Sequence, residues 1–497
     1  MIDFSKQNSG LIEAACELAT KILNTQYSIP NTPIRALIVG GFVRDTLLGI
    51  PSHDLDIEVY GINAEQLESL LNELYPGQVN VVGRTFGIFK IRLADGSDFD
   101  VSIPRRDSKI GEGHKGFAVE GDPNMSVEEA ARRRDFTINA MMVDPLTNEL
   151  IDPFDGQKDL AAKTLRMVDE KTFQEDPLRV YRALQFAARF NLTVEPQTFE
   201  LMRMMTLRGD LSELSPERIT DEIKKLLLKA ERPSIGLELA WDLGLIERDY
   251  PELFILKQTP QEPEWHPEGD VWIHTLMVID QAARIVRREP GFTEEEKLQV
   301  VFGALCHDLG KPATTKLAPK DGIMRLRSLG HEEAGEEPTL TLCTKWLFGE
   351  SVTHAAIMGA TQHLKPGIWF RLKERGDLTD EQYANAVRKL LKRIYPVSWR
   401  VLIAVAEADH RGRAFADNET SPYDIGTFFT STIINHEFDK EPTKPLIQGR
   451  DLLERGLSPS PRFGEVIAQI ETARDEGKIK TREEALKLLT KILKNNG

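Results

Sequence analysis

The chain has 497 residues, 41% of them hydrophobic, which is enough for three or four domains with cores of their own. Its net charge of −15 excludes a protein that coats nucleic acid indiscriminately, because neutralising phosphates takes clustered Lys and Arg, but leaves room for RNA held by local patches. Apolar runs stay well short of the roughly 18 residues of a membrane span, the start MIDFSKQNSG is no leader, and Cys16, Cys306 and Cys343 form no C-x-x-C pair; no membrane partner, a cytoplasmic location and no disulfide frame are expected.

Residues 1 to about 27 read as an amphipathic helix. The stretch Arg35–Tyr60, RALIVGGFVRDTLLGIPSHDLDIEVY, opens with an apolar strand, Ala36–Val39, that runs into Gly40-Gly41 and then a helix start. Such a turn aims free backbone N–H groups and a positive helix end at one point, with Arg44 close by, and suits an anion such as a triphosphate. Asp54, Asp56 and Glu58 then alternate with Leu55, Ile57 and Val59, a strand with one buried side and one open acidic side. Carboxylates at i and i+2 start about 6.7 Å apart. They can converge on two Mg²⁺ ions roughly 4 Å apart, the spacing of two-metal phosphoryl-transfer sites. AEQLESLLNELY is a helix, and Gln78–Leu93 reads as strands broken by Gly83 and Gly87. In SDFDVSIPR the alternation offers a third carboxylate, Asp100 or Asp98. Arg105–Met125 is rich in Gly, Lys and Asp, lacks periodicity and is expected to be a mobile loop.

Each half of Arg35–Tyr60 alone is common chemistry. The combination, strand then GG-x-x-RD then D-x-D, resembles the nucleotidyltransferases of the polymerase-beta-like superfamily, within it the bacterial tRNA nucleotidyltransferase (CCA-adding enzyme) and poly(A) polymerase branch. The resemblance implies that Asp54, Asp56 and a later strand carboxylate, best matched by Asp100, form the catalytic Mg²⁺ site. It implies that a loop at Arg105–Met125 goes with adding A, alone or after C and C. Arg133-Arg134-Asp135 resembles the ribose-recognition motif, where Asp135 accepts from a hydroxyl and the arginines bind phosphate. TFQEDPLRVYRALQFAARF, residues 172–190, reads as one capped helix with Asp176, Arg179 and Arg182 on a shared face. It matches the E-D-x-x-R motif, in which Asp and Arg act as a template for the incoming base. Cytosine and adenine each present an amine donor beside a ring-nitrogen acceptor, whereas uracil and guanine present a carbonyl beside an N–H. An Asp acceptor beside an Arg donor therefore suits the first pair and leaves buried groups unpaired against the second. Arg182 is expected to reach the triphosphate.

Residues 191–255 read as a helical neck, with a Ser215-Pro216-Glu217 helix start, and QTPQEPEWHPEG as a linker. Beyond it, His274, His307, Asp308, His331, His363 and Asp409 follow in the order of the HD-domain metal phosphohydrolases. Imidazoles with carboxylates suit one or two divalent ions that activate water on a phosphate ester. By this resemblance His274, His307, Asp308 and Asp409 lead the set, with His331 and His363 as additions, and Tyr395–Ala414 is the helix that carries the last ligand. The tail from Leu446, with a G-x-D-L turn and Pro459-Ser460-Pro461 where the family has Pro-Gly-Pro, resembles a tRNA-holding segment. From Lys478 to Asn495 it carries six Lys/Arg against two Glu.

The expected fold is therefore α+β: a polymerase-beta-like head with a mixed sheet and helices (28–155), an all-α neck with the base-recognition motif (156–255), an HD domain (256–420) and a helical tail (421–497). The expected function is template-independent addition of CCA, or of the terminal A, to tRNA from CTP and ATP, with a divalent metal of unspecified identity in the HD domain. The alternatives are a poly(A) polymerase, whose branch usually carries a basic tail and no HD domain, an HD phosphohydrolase for 2′,3′-cyclic or 2′-phosphates with a subsidiary head, and a non-catalytic RNA-binding module.

Overall fold

The computed structural model describes residues 2–27, 29, 32–83, 87–109, 117–418, 420–440, 445–457, 460, 462–475, 478–479 and 481–495. The chain divides into two compact units, residues 1–251 with 345–347, and residues 252–344 with 348–497. Among the described residues no helix is long and apolar enough to cross a membrane.

The first unit begins with α1 (Ser9–Leu23), shorter than expected because Asn8 caps it and it ends at Asn24. It lies on β1 (Arg35–Val39), whose residues from Ala36 onward are all buried. Gly40 ends that strand at φ +73°, a conformation open to glycine, and a Cβ there would stand 2.8 Å from the Arg134 guanidinium. There follow α2 (Gly41–Leu47), β2 (Leu55–Tyr60), α3 (Ala64–Leu74), β3 (Val79–Gly83), β4 (Ile88–Arg92) and β5 (Asp98–Ser102). After β6 (Arg105–Lys109), β7 (Phe117–Gly121) and α4 (Val127–Arg132) come two short strands, β8 (Met142–Val143) and β9 (Leu150–Ile151). Seven of these strands form one mixed sheet in the order β3-β4-β5-β2-β1-β8-β9. The β2–β5 pair is parallel, and its register sets Asp56 directly against Asp100.

Two local expectations change here. Arg105–Met125 is not an unpatterned loop: β6 and β7 pair antiparallel from Arg105↔Gly121 to Lys109↔Phe117, while residues 110–116 lie outside the described residues. The acidic face of β2 is open only at its start, since Glu58 is 2% exposed.

Next come α5 (Gly156–Ala161), β10 (Thr164–Leu165), α6 (Glu170–Glu175), α7 (Leu178–Phe190), β11 (Thr193–Val194), α8 (Pro196–Arg208), α9 (Pro216–Lys229), α10 (Pro233–Asp242) and α11 (Leu245–Asp249). The stretch 172–190 is two helices, not one. Pro177 lacks an N–H and pushes Asp176 into extended backbone (φ −126°, ψ 93°), so α6 stops there and α7 starts afresh.

In the second unit α13 (Val271–Arg288) follows α12 (Pro251–Phe254), the helix in which the division falls, and packs with α14 (Glu294–Cys306) and α21 (Trp399–Arg411), on which α18 (Glu350–Gln362) packs in turn. Val301 and Leu305 of α14 are fully buried in that core. Ser398 caps α21, which makes it shorter than the expected Tyr395–Ala414. Between α14 and α18 lie α15 (Lys311–Thr314), an antiparallel hairpin of β12 (Thr315–Lys320) and β13 (Ile323–Ser328), α16 (His331–Ala334) and α17 (Glu336–Lys345). The rest is helical: α19 (Lys365–Glu374), α20 (Asp380–Ile394), α22 (Asp424–Asn435), α23 (Gly449–Leu453), α24 (Arg462–Asp475) and α25 (Arg482–Asn495). The last three share a core that includes Ile447, Leu452, Ile470 and Leu489. Pro459 and Pro461 of the expected turn lie outside the described residues.

Candidate active sites

The first unit encloses a cleft of about 1240 Å³. Its lining includes Gly40, Gly41, Arg44, Asp54, Asp56, Asp100, Arg133, Arg134, Asp135, Asp176, Arg179 and Arg182, so twelve residues spread over 143 positions of sequence meet in one space. Asp98 is not among them; it pairs with Lys90 at 3.1 Å on the outer part of β5. Burial raises the Asp56 carboxyl to about 6 despite Arg134, with Asp100, Asp54 and Glu58 adding to the effect. Burial likewise raises Asp100, whose Oδ1 is buried without a hydrogen-bond partner. Carboxylates crowded in register, one with an unsatisfied oxygen, are a donor set that a divalent cation would complete.

The basic groups are fixed by the protein itself. Glu58 lies 3.1 Å from Arg133 Nη2 and 3.4 Å from Arg134 Nη2, and accepts from the Tyr60 hydroxyl at 2.9 Å. Burial alone would raise Glu58, but Arg134 and Arg133 outweigh it and the carboxyl sits below its usual value. Arg44 is 4% exposed; it donates to Asp45 and to Asn139 Oδ1 (2.5 Å) and stacks near Phe190. Arg182 Nε donates to Asp135 Oδ2 at 2.6 Å, and Asn139 Nδ2 donates to Asp135 Oδ1 at 3.0 Å. Arg179 donates to the carbonyls of Thr172 (2.8 Å) and Arg133, and Arg218 Nη2 lies 3.1 and 3.2 Å from the two Asp176 oxygens. Glu58, Asn139 and Arg218 were not singled out in the sequence. Glu58 carried a signal, since it continues the D-x-D alternation; the other two carry none.

The second unit gathers the six HD groups at the ends of α14, α18 and α21, on α13 and at the start of α16. His274 Nε2 stands 3.2 Å from Asp409 Oδ1 and 3.3 Å from His307 Nε2; His307 Nε2 is 3.0 Å and His331 Nε2 3.4 Å from Asp308. Within these six, two triads have donor atoms mutually within 4.8 Å: His274, His307 and Asp409, and Asp308, His331 and His363; His266, Glu268 and His274 form a third such group. Nδ1 of His307 donates to Ala304 O (2.6 Å), of His331 to Ser328 O (2.7 Å) and of His363 to Gly359 O (2.9 Å). Each Nε2 lone pair is thereby left facing inward, as metal-ligating imidazoles require, and His331 Nε2 makes no hydrogen bond. Burial lowers His363 to about 3, which keeps it neutral. Burial opposes ionisation of Asp308 and Asp409, yet His307 and Lys311 for the first, and Arg413 and His274 for the second, hold both well below the carboxylate range. This donor set suits divalent metal ions.

Four supporting groups escaped the sequence. Glu268 Oε1 lies 2.8 Å from Nδ1 of both His266 and His274, so the stretch read as a linker fixes a ligand from behind. Lys311 Nζ is 2.6 Å from Asp308, and Arg413 Nη2 is 2.9 Å from Asp409.

Three family models match: the poly A polymerase head domain over residues 36–166, the probable RNA and SrmB-binding site of polymerase A over 191–256, and the HD domain over 271–391. The multifunctional CCA protein of Xanthomonas campestris pv. campestris is 35% identical over 448 residues, covering 88% of this chain and 98% of the relative. This chain belongs to that family. The multifunctional CCA protein of Dechloromonas aromatica is 37% identical over 388 residues, 78% of this chain and 85% of the relative. Among solved structures, the Bacillus stearothermophilus CCA-adding enzyme in complex with CTP matches with TM-score 0.59 at 20% identity, over 98% of each chain. The Thermotoga maritima CCA-adding enzyme complexed with tRNA matches with TM-score 0.53 at 20% identity, over 97% of this chain and 95% of that one. Both show the fold.

Proposed function

We propose that the first unit is a template-independent tRNA nucleotidyltransferase that adds C, C and A to tRNA 3′ ends from CTP and ATP. The observation that supports it most is the pairing of Asp56 with Asp100 in a cleft that also holds Asp176, Arg179 and Arg182. The family name of the relatives, CCA proteins, favours addition of all three nucleotides over the terminal A alone.

Asp54, Asp56 and Asp100 would hold Mg²⁺, which when bound neutralises the α-phosphate and the departing pyrophosphate. The residues do the positioning. The turn at Gly40-Gly41 and the Glu58-anchored arginines receive the triphosphate. Asp135, held by Arg182 and Asn139, presents an acceptor to the ribose. Asp176 and Arg179 read the base edge, each fixed beforehand so that little ordering cost falls on binding. The tRNA 3′ hydroxyl, aligned beside Asp100, then attacks the α-phosphorus and pyrophosphate leaves. Catalysis of this type is mainly alignment and charge complementarity.

Labelled CTP and ATP, given separately and together to tRNA ending at the discriminator base and to tRNA ending in CC, test the reading. C, C and A on the first substrate are expected. A alone, and only on the CC-ended tRNA, would make the enzyme A-adding; long A tracts on unrelated RNA would make it a poly(A) polymerase. The two triads of the second unit support a second activity, metal-dependent hydrolysis of phosphate esters, with 2′,3′-cyclic and 2′-phosphates of RNA ends as substrates.

A further inference from the structure

The β12–β13 hairpin stands between the segments that carry Asp308 and His331, and both of its ends are tied to them. Thr315 Oγ1 donates to Lys311 O at 2.8 Å, and Lys311 Nζ contacts Asp308; at the other end Ser328 O accepts from His331 Nδ1. Its register sets Lys316 opposite Arg327, Ala318 opposite Arg325 and Lys320 opposite Ile323. Side chains alternate along each strand, so the four cations share one face, while Leu317, Pro319, Met324 and Leu326 take the other. Like charges directly opposite one another destabilise a sheet. Arg325 is answered by Glu262 and Glu264, but Lys316, Lys320 and Arg327 form no ion pair among the described residues. Beside this face lies Trp265, with Lys320 Nζ 3.9 Å and Arg325 Cζ 5.5 Å from its ring centroid.

We propose that the basic face of this hairpin, with Trp265, binds an RNA strand and presents its terminal phosphate ester to the metal cluster of the second unit. An unpaired lysine beside an aromatic ring, with Lys316 and Arg327 further along the same face, is a combination that holds single-stranded RNA, charge to phosphate and ring to base. In a chain of net charge −15 a one-sided basic hairpin joining the segments that carry Asp308 and His331 is matched to a polyanion. The role in presentation rests on the phosphohydrolase reading, whereas the binding surface does not.

Two measurements on the full chain separate these. Amine acetylation mapped by mass spectrometry, with and without a short RNA ending in a 2′,3′-cyclic phosphate, reports on the surface directly. Lys316 and Lys320 are expected to be protected several-fold, and unchanged labelling of both would overturn the proposal. In parallel, Mn²⁺-loaded wild type, Lys316→Glu/Lys320→Glu and the milder Lys316→Gln/Lys320→Gln are assayed on that RNA and on bis(p-nitrophenyl) phosphate. The expectation is a KM for RNA raised about 10-fold and a salt slope of log KM reduced by about 1.4, the share of two phosphate contacts, with turnover of the small ester unchanged. Equal effects on both esters, or none on RNA, would also overturn it. If wild type hydrolyses neither ester, the phosphohydrolase reading fails, and the protection experiment still decides the RNA surface.

Discussion

Asp56 is the residue on which the first site turns. It opens onto the cleft, the carboxylates of Asp100, Asp54 and Glu58 stand around it, and desolvation there raises its carboxyl to about 6, so ionisation needs a compensating cation. Replacing it with Asn keeps the shape and removes the charge. Nucleotide incorporation is expected to fall by about 10³ or more, the loss of several kcal/mol of phosphoryl stabilisation, while tRNA affinity measured by filter binding stays within about twofold; parallel loss of both would place Asp56 in folding or RNA binding. Asp135 gives a pH prediction of definite sign. Burial opposes its ionisation, but Arg182 and Asn139 hold the carboxyl below its usual value of 3.8. A carboxyl depressed on folding stabilises the fold above its unfolded value, and that contribution is lost as pH falls through the folded value. Asp135→Asn is therefore expected to cost about 3 kcal/mol at pH 7, as breaking a buried pair does. The gap in urea midpoint between wild type and variant should stay flat from pH 8 to pH 5 and narrow below about pH 4. A gap that widened on acidification would assign the opposite shift.

At the scale of elements, α7 and α9 carry the argument about specificity. Pro177 breaks the 172–190 helix and leaves Asp176 at the joint, where α9 can reach it through Arg218. One turn further along α9, Glu222 stands 3.9 Å from Arg182. Asp176 and Arg182 are thus both held from a second helix. Arg218→Ala frees the Asp176 carboxylate, and the expected result is discrimination of CTP over UTP reduced by about 10-fold, read as a ratio of kcat/KM values, against a much smaller change in kcat for CTP. Unchanged discrimination would make the Arg218–Asp176 pair merely structural. The same elements show what a sequence displays. The D-x-D strand, the Gly40 turn and the helix of Arg179 and Arg182 are legible because period and spacing are local properties. Arg218 is not, because 42 residues separate it from Asp176 and nothing nearby marks it. The β6–β7 hairpin was hidden for a different reason: Gly, Lys and Asp are poor strand formers, and cross-strand pairing outweighs that preference.

At the scale of the molecule, two metal-suited sites of different chemistry occupy two units. The first offers carboxylates on a sheet and the second imidazoles and carboxylates at helix ends. The order of the HD groups was readable because His274 and Asp409 lie in long helices and His307, Asp308 and His363 directly follow two others. The stretch read as linker was misjudged because Pro and Glu there look like spacer, whereas Glu268 backs His274 and Glu262 receives the Leu326 N–H. Oxygen-only and nitrogen-containing sites select different cations, which predicts a double dissociation. Asp54→Ala should abolish CTP and ATP incorporation and leave Mn²⁺-dependent hydrolysis of bis(p-nitrophenyl) phosphate within about twofold of wild type. Asp308→Ala should do the reverse, since Asp308 contacts His307, His331 and Lys311 and its loss opens the triad it forms with His331 and His363. Metal analysis supplies the control independent of turnover: after dialysis against Mn²⁺, Asp308→Ala should lose the metal held by the second unit, which Asp54→Ala should keep. If either variant lost both activities with its fold intact by circular dichroism, the two units would share one catalytic centre and the division of labour argued from their donor sets would be wrong.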